Sequence, residues 1–480
     1  MTDGQTSPSR VVIVGGGFAG LNAARRLLRD GPASLHITLV DRRNHHLFQP
    51  LLYQVAMAGL SPADISTPIR SILGSDPRIS VRMANVERVD LPGRVVHTSD
   101  GDLSYDHLVL ACGATHAYFG HDEWEAHAPG LKTIEQATEI RRRILTAYEH
   151  AEIESDPELR RRLLTFVIVG GGPTGVELAG ALGELSRHTL TRDFKHIDPS
   201  ATRVLLIEGG PRILPGFAPE LSRRAARSLE KLGVTVWTDT KVTDIEDDRV
   251  EAGGETVYAS TVLWAAGVRA SELGASLTEK VDGAGRVPVS ADLSLPSHPE
   301  VFVVGDQAHV SQADGSTVPG LAPAAIQQGN HAALNILHDL RKESREDFEY
   351  FDKGMMATIG RASAVVQTGR LRFGGFIAWL AWCFVHIMYL VGFRNRVLVF
   401  IQWVWSYVRY RRGARLITVP HWQLQAPANE TTTAAPGHAD GAGHADHGAP
   451  VPLTAAELAP EDHAGSLITP ELDTKHRATA

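Results

Sequence analysis

Val11-Val12-Ile13-Val14 runs straight into Gly15-Gly16-Gly17-Phe18-Ala19-Gly20, and Thr165-Phe166-Val167-Ile168-Val169 runs into Gly170-Gly171-Gly172-Pro173-Thr174-Gly175. Each is a short apolar strand that breaks into G-x-G-x-x-G and opens a helical pattern. One such motif is weak evidence; two in the same strand–turn–helix context are strong. The glycines permit a tight turn and let backbone approach a pyrophosphate, whose charge then sits at the N-terminus of a helix. The pair predicts an α/β protein with two Rossmann-like dinucleotide-binding domains. Two dinucleotides held face to face have the geometry for passing a hydride.

Outward from the first motif, a helix runs through Leu21 to Leu28, and the next strand, His36 to Val40, ends at Asp41. That acid lies about 20 residues past the last glycine, where the motif expects a carboxylate on a ribose hydroxyl. In the second unit the strand Arg203 to Ile207 ends at Glu208, after a longer gap in which Arg187 to Ser200 reads as an inserted loop. A glutamate there suits a 2′-hydroxyl and repels a 2′-phosphate, which favours NADH over NADPH; Arg212 nearby works against it. A third strand, Val301 to Val304, ends in Gly305-Asp306, and the Asp306 carboxylate is suited to a flavin ribityl hydroxyl. Its return after the second motif implies a first domain split in sequence. The expected FAD domain is therefore 10–125 with 290–345, and the NADH domain 126–289. The strands His107 to Ala114 and Thr261 to Val268 both end in small residues, where backbone can lie close to a ligand. The resulting FAD set is Gly15, Gly17, Phe18, Ala19, Gly20, Asp41, Arg42, Gly305 and Asp306. The NADH set is Gly170, Gly172, Thr174, Gly175, Glu208 and Gly267.

The chain has 480 residues, enough for two or three domains and a large core. Its net charge of -8 argues against a nucleic-acid surface. Two cysteines, Cys112 and Cys383, lie far apart, which excludes a disulfide framework and leaves no C-x-x-C pattern. Cys112 reads as a small buried residue, and no metal site is expected. The polar stretch Met1 to Arg10 lacks an apolar signal region, so the bulk is expected in the cytoplasm.

From Phe376 to Phe393 the sequence reads FIAWLAWCFVHIMYLVGF, without a formal charge and at the lower edge of length for a membrane span. In the next stretch, Asn395, Gln402, Ser406 and Arg409 share one helical face, opposite an aromatic and aliphatic one. That is an interface-seeking pattern. Arg394, Arg396, Arg409, Arg411, Arg412 and Arg415 suit anionic headgroups, and Trp379, Trp382, Trp403 and Trp405 suit an aromatic belt. A buried core pair or dimer interface is the competing reading. Residues 346–420 are thus expected to be a membrane-anchoring region. The composition of 421–480, dominated by Ala, Gly, Pro, Thr and His, predicts a disordered tail.

Taken together, these features resemble the type II NADH dehydrogenases, single-subunit and non-pumping respiratory NADH:quinone oxidoreductases. The resemblance covers about residues 10 to 415 and is carried by Asn44-His45-His46-Leu47-Phe48-Gln49-Pro50-Leu51-Leu52-Tyr53, by Gly170 to Glu177, by Glu208-Gly209-Gly210-Pro211-Arg212-Ile213-Leu214, and by Leu390-Val391-Gly392-Phe393-Arg394-Asn395-Arg396. It implies non-covalent FAD, hydride transfer from NADH to FAD, and two-electron reduction of a membrane quinone, menaquinone or ubiquinone. It also implies a monotopic seat on the bilayer surface at the cytoplasmic face of the cell membrane, with room for a homodimer. The family's quinone motif A-Q-x-A-x-Q aligns with Ala322-Pro323-Ala324-Ala325-Ile326-Gln327. Gln327 is kept, Pro323 replaces the first glutamine, and Ala325 falls near the flavin.

No side-chain nucleophile is needed, because the cofactor carries the chemistry. Glu177 is the candidate for proton delivery between nicotinamide and quinone, alongside Gln327. Rivals of the same fold are a sulfide:quinone oxidoreductase, which needs cysteines flanking the flavin, and a ferredoxin reductase, which has no use for the anchor. A rival of another class is a non-catalytic NADH-binding membrane protein.

Overall fold

The computed structural model describes residues 9–278, 280–312, 314–409 and 413–417. Strand β1 (Ser9–Val14) leads into helix α1 (Phe18–Asp30), then β2 (Leu35–Asp41), α2 (Leu52–Ala56), β3 (Ile79–Met83) and β4 (His107–Leu110). The chain crosses by β5 (Ala114–His116) into α3 (Ile134–Ile153), β6 (Thr165–Val169), α4 (Pro173–Glu184), β7 (Arg203–Ile207), β8 (Val234–Trp237) and β9 (Thr261–Trp264). It returns by β10 (Val268–Ala270) to β11 (Ser294–Leu295), β12 (His298–Val303) and α5 (Ala322–Arg341). A C-terminal part follows: β13 (Met355–Thr358), β14 (Ala364–Thr368), β15 (Leu371–Gly375), α6 (Phe376–Tyr389) and α7 (Phe393–Arg409).

The first sheet has the order β11-β12-β4-β1-β2-β3, so strands from before and after the second sheet share it. Apart from the edge strand β11, every neighbour is parallel. Its central strands are buried on both faces, which is why they read as unbroken β-branched runs. The second sheet, β8-β7-β6-β9, is wholly parallel. The antiparallel pair β5–β10 joins the two crossings, with Ala114 opposite Ala270.

Along α5, the stretch that follows is stapled back onto the helix about once per turn. Arg345 pairs with Asp339, Asn335 bonds both the N–H and C=O of Glu346, His331 meets the Glu346 carbonyl at 2.8 Å, and Gln327 reaches Phe351. This strap delivers the antiparallel sheet β13-β14-β15 onto α4.

Helices α6 and α7 join the core of the second sheet. Ala378, Trp382, Leu390 and Val399 are buried in one cluster with Val176, Leu178 and Leu182 of α4. Among the described residues, no helix is long and apolar enough to cross a membrane. On α7, Asn395 turns inward: it is buried and its Nδ2 lies 3.4 Å from the carbonyls of Ala63 and Ser66. Val397, Phe400, Ile401, Val404 and Trp405 face outward, as do Ile377, Leu380, Phe384 and Met388 on α6. The 3.6-residue period places each set on one side of its helix. Residues 418–480, which carry the expected tail, lie outside the described residues.

Candidate functional site

The two glycine turns are built alike. Gly15 and Gly170 adopt φ of +103° and +107° and donate to the carbonyls at the ends of the neighbouring strands, Val40 and Ile207. Gly16 N–H donates to Asp41 Oδ2 at 2.6 Å, and Gly171 N–H donates to Glu208 Oε2 at 2.6 Å. The second oxygen of each acid accepts from Arg43 N–H and Gly210 N–H, at 2.7 Å in both cases. Both acids therefore hold the turn, and each oxygen keeps a further lone pair for a ribose hydroxyl. A Cβ on Gly20 would fall 1.9 Å from Gly15 O, and on Gly175 1.8 Å from Gly170 O, so these two glycines serve the turn itself. On Gly17 or Gly172 it would meet nothing.

The helices that follow are primed for anions. Neither α1 nor α4 has a side-chain N-cap bond or an acid in its first turn. Their leading N–H groups are left for a ligand. Thr174 is exposed at the mouth of the second turn, whereas Ala19 is buried. Phe18 turns onto His46 and Phe48, at ring separations of 5.2 and 5.9 Å. Arg42 is exposed, and the backbone of Arg43 engages Asp41 instead. Gly305 N–H donates to Gln328 Oε1 at 2.6 Å, and Asp306 stands 3.9 Å from Lys132. The Ala325 N–H is used inside α5, donating to Leu321 O. These features fit a dinucleotide pyrophosphate at each turn.

Sequence reasoning missed His46 and Gln328 as supports of the first turn. His46 Nδ1 donates to Gly16 O at 2.9 Å, and burial lowers the imidazole's proton affinity. Neither contact carries a local sequence signal, since each partner comes from a distant segment.

Glu177 lies half-buried on α4, with Thr358 N–H at 3.4 Å. Burial pushes its carboxyl up to about 8. Tyr53 lies nearby; burial first, and the Glu177 charge once that acid ionises, raise its hydroxyl well above the ordinary value. Tyr53 itself lines a cavity of about 110 Å³, with Gln54, Trp379, Trp382, Gln402 and Trp403 among others. In this lining Trp382 Nε1, a donor, and Gln402 Oε1, an acceptor, are buried without a hydrogen-bond partner among the described residues. Rings connect the cavity to the first turn. Phe18 packs on Phe48, Phe48 on His386 at 6.2 Å, and His386 on Trp382 at 4.1 Å. Burial lowers His386 to about 4 and raises both cysteine thiols to about 12, which keeps Cys112 and Cys383 in the thiol form at neutral pH.

Two expected site residues have other partners. The Gln327 amide brackets the Phe351 backbone, donating to its C=O and accepting from its N–H at 3.0 Å each. The space beside Gly267, expected to admit a ligand, is filled by the ring of Phe119.

Two glycine turns of dinucleotide-binding geometry, on two parallel sheets of which the first is split in sequence, define a two-dinucleotide flavoprotein oxidoreductase. Residues 9–329 match the family of pyridine nucleotide-disulphide oxidoreductases. The chain is 44% identical over 427 residues to the type II NADH:quinone oxidoreductase Ndh of Mycobacterium tuberculosis, covering 85% of this chain and 90% of that one. It is 31% identical to the mitochondrial internal alternative NAD(P)H-ubiquinone oxidoreductase of Arabidopsis thaliana, over 85% and 86% of the two chains. Among solved structures, NDH2 of Plasmodium falciparum matches with a TM-score of 0.77 at 19% identity, covering 84% of this chain and 99% of that one. A sulfide:quinone oxidoreductase from Aquifex aeolicus matches at 0.62 and 22%, covering 81% and 92%, a likeness of fold alone. The chain belongs to the type II NADH:quinone oxidoreductases. That bears out the resemblance read from the sequence, and the sulfide and ferredoxin alternatives are not favoured.

Proposed function

We propose that this enzyme oxidises NADH at the second glycine turn and reduces a membrane quinone beside FAD held on the first, without pumping protons. FAD, when bound, takes two electrons from NADH and releases them to quinone. The chain binds, orients and supplies protons. Gly15, Gly17 and Gly20 with the N-terminus of α1 would take the FAD pyrophosphate, Asp41 its adenosine ribose and Asp306 its ribityl chain. Gly170, Gly172, Thr174 and Gly175 would take the pyrophosphate of NADH, and Glu208 its ribose. Glu177, with a carboxyl near 8, holds a proton at neutral pH and is matched to proton delivery there.

The observation that carries the quinone half is the orphaned pair in the cavity. A quinone carbonyl would accept from Trp382 Nε1–H, and a quinol hydroxyl would donate to Gln402 Oε1. The outward apolar faces of α6 and α7, flanked by exposed Arg370, Arg372 and Arg394, support a peripheral, monotopic seat on the cytoplasmic face of the membrane. A quinone would then enter the cavity from the lipid. Trp382→Phe removes the donor and keeps the ring. Stopped-flow should find flavin reduction by NADH unchanged and reoxidation by quinone slowed about tenfold, the scale of one lost hydrogen bond. Unchanged reoxidation would exclude Trp382 as a quinone contact.

A further inference from the structure

Phe119 is a large apolar side chain left 70% exposed, on a backbone with φ of +56°. Such a φ is costly for a residue of this bulk, and the exposure forgoes burial as well. Its neighbours are well satisfied. Tyr118 is buried, stacks on Trp264 at 5.0 Å and donates to Ala128 O. Ala117 accepts from Trp264 Nε1 at 3.0 Å and donates to Gly267 O. The loop is thus anchored on the end of β9 and holds Phe119 outward.

The ring lies over Gly267. A Cβ there would be 2.6 Å from Phe119 Cζ. The preceding residue, Ala266, abuts the second glycine turn, since a Cβ on Gly170 would lie 2.5 Å from its Cα. Phe119 is therefore part of the wall of the NADH cradle. Which part follows from the strand order β8-β7-β6-β9. Glu208 ends β7, on one flank of β6, and Gly267 follows β9, on the other. A dinucleotide whose pyrophosphate sits on the turn after β6, with its adenosine ribose at Glu208, extends its other half toward β9.

We propose that Phe119 is an aromatic cover for the nicotinamide half of the bound dinucleotide, a proposal that rests on assigning NADH to the second turn. The ring would pack against the nicotinamide riboside and keep water from it. The absent Gly267 side chain is what lets the ring reach that position.

The test uses the full-length, FAD-loaded enzyme and titrates NAD+ and ADP-ribose, which lacks nicotinamide, by calorimetry. Phe119→Ala should weaken NAD+ binding about tenfold and leave ADP-ribose within about twofold. Phe119→Leu should fall between, and Phe119→Trp should stay near the parent. KM for NADH should rise with flavin content unchanged. Equal effects on both ligands, or unchanged NAD+ binding, would overturn the cover and leave Phe119 as filler for the Gly267 gap. A parent that binds no ADP-ribose would instead overturn the NADH assignment itself. Should the alanine variant not fold, the leucine and tryptophan variants supply the same comparison.

Discussion

The Glu208 carboxylate holds the Gly171 N–H at 2.6 Å, so the residue expected to read the ribose is also a strut of the turn that would hold the pyrophosphate. Glu208→Gln keeps one acceptor oxygen and removes the charge. It should lower the preference for NADH over NADPH about tenfold, the scale of one charge-assisted contact, and raise KM for NADH only modestly. Glu208→Ala frees both Gly171 and Gly210 and should raise KM as well. Specificity constants for both nucleotides check this; a ratio unmoved in both variants would remove Glu208 from nucleotide selection.

Glu177 gives a pH signature. Its carboxyl titrates near 8 in the folded protein and near the ordinary glutamate value when unfolded. Between those values the folded state binds the extra proton, so stability falls as pH rises through the window. Glu177→Gln stays neutral and should flatten that slope. Thermal melts from about pH 5 to about pH 9 should show the parent losing more than the variant. The same variant should lose an inflection near 8 in the rate of quinone reduction. Parallel melting curves would mean that Glu177 is ionised throughout.

The open sides of Gly17 and Gly172 separate cofactor effects from folding effects. Gly17→Ala should fold and lose FAD affinity. Gly172→Ala should fold, retain FAD and raise KM for NADH. Gly20→Ala and Gly175→Ala place a methyl against backbone oxygen and should lower Tm. Absorbance at the flavin band, read beside circular dichroism, distinguishes these outcomes. A yellow Gly17→Ala protein would move FAD away from the first turn.

Membrane attachment is best tested on the outward faces. Phe384→Ser, Phe400→Ser and Ile401→Ser together should release the enzyme from vesicles. They should spare turnover with a small water-soluble acceptor and depress it with a long-tailed quinone. Truncation after Gly369 is a poorer test, because it removes β15 and the buried Trp382. A triple variant that still sediments with vesicles would argue against these faces as the seat.

The glycine turns, the acids that end β2 and β7, and the apolar character of the C-terminal helices were legible in the sequence because each is dictated by a few adjacent residues. Backbone sterics demand glycine at Gly15 and Gly20, and a strand end fixes where Asp41 points. The roles of Gln327, Gly267 and Asn395 were not legible. Each depends on a partner from another segment: Phe351, Phe119, and the carbonyls of Ala63 and Ser66. The amphipathic period of α7 was readable, but which face met protein was not. For Asn395 the inward direction depends on carbonyls supplied by a distant segment.

Trp382, Leu390 and Val399 pack in the same interior as α4, and their helices carry the outward apolar faces. On the proposed membrane seat, phospholipid would act as a ligand of the native state, and its binding would be linked to the folding equilibrium. Purified enzyme should melt at a higher temperature in vesicles than in detergent, by an amount that grows with lipid concentration. Activity lost on extraction would then partly reflect a shifted folding equilibrium, and adding lipid back would restore it.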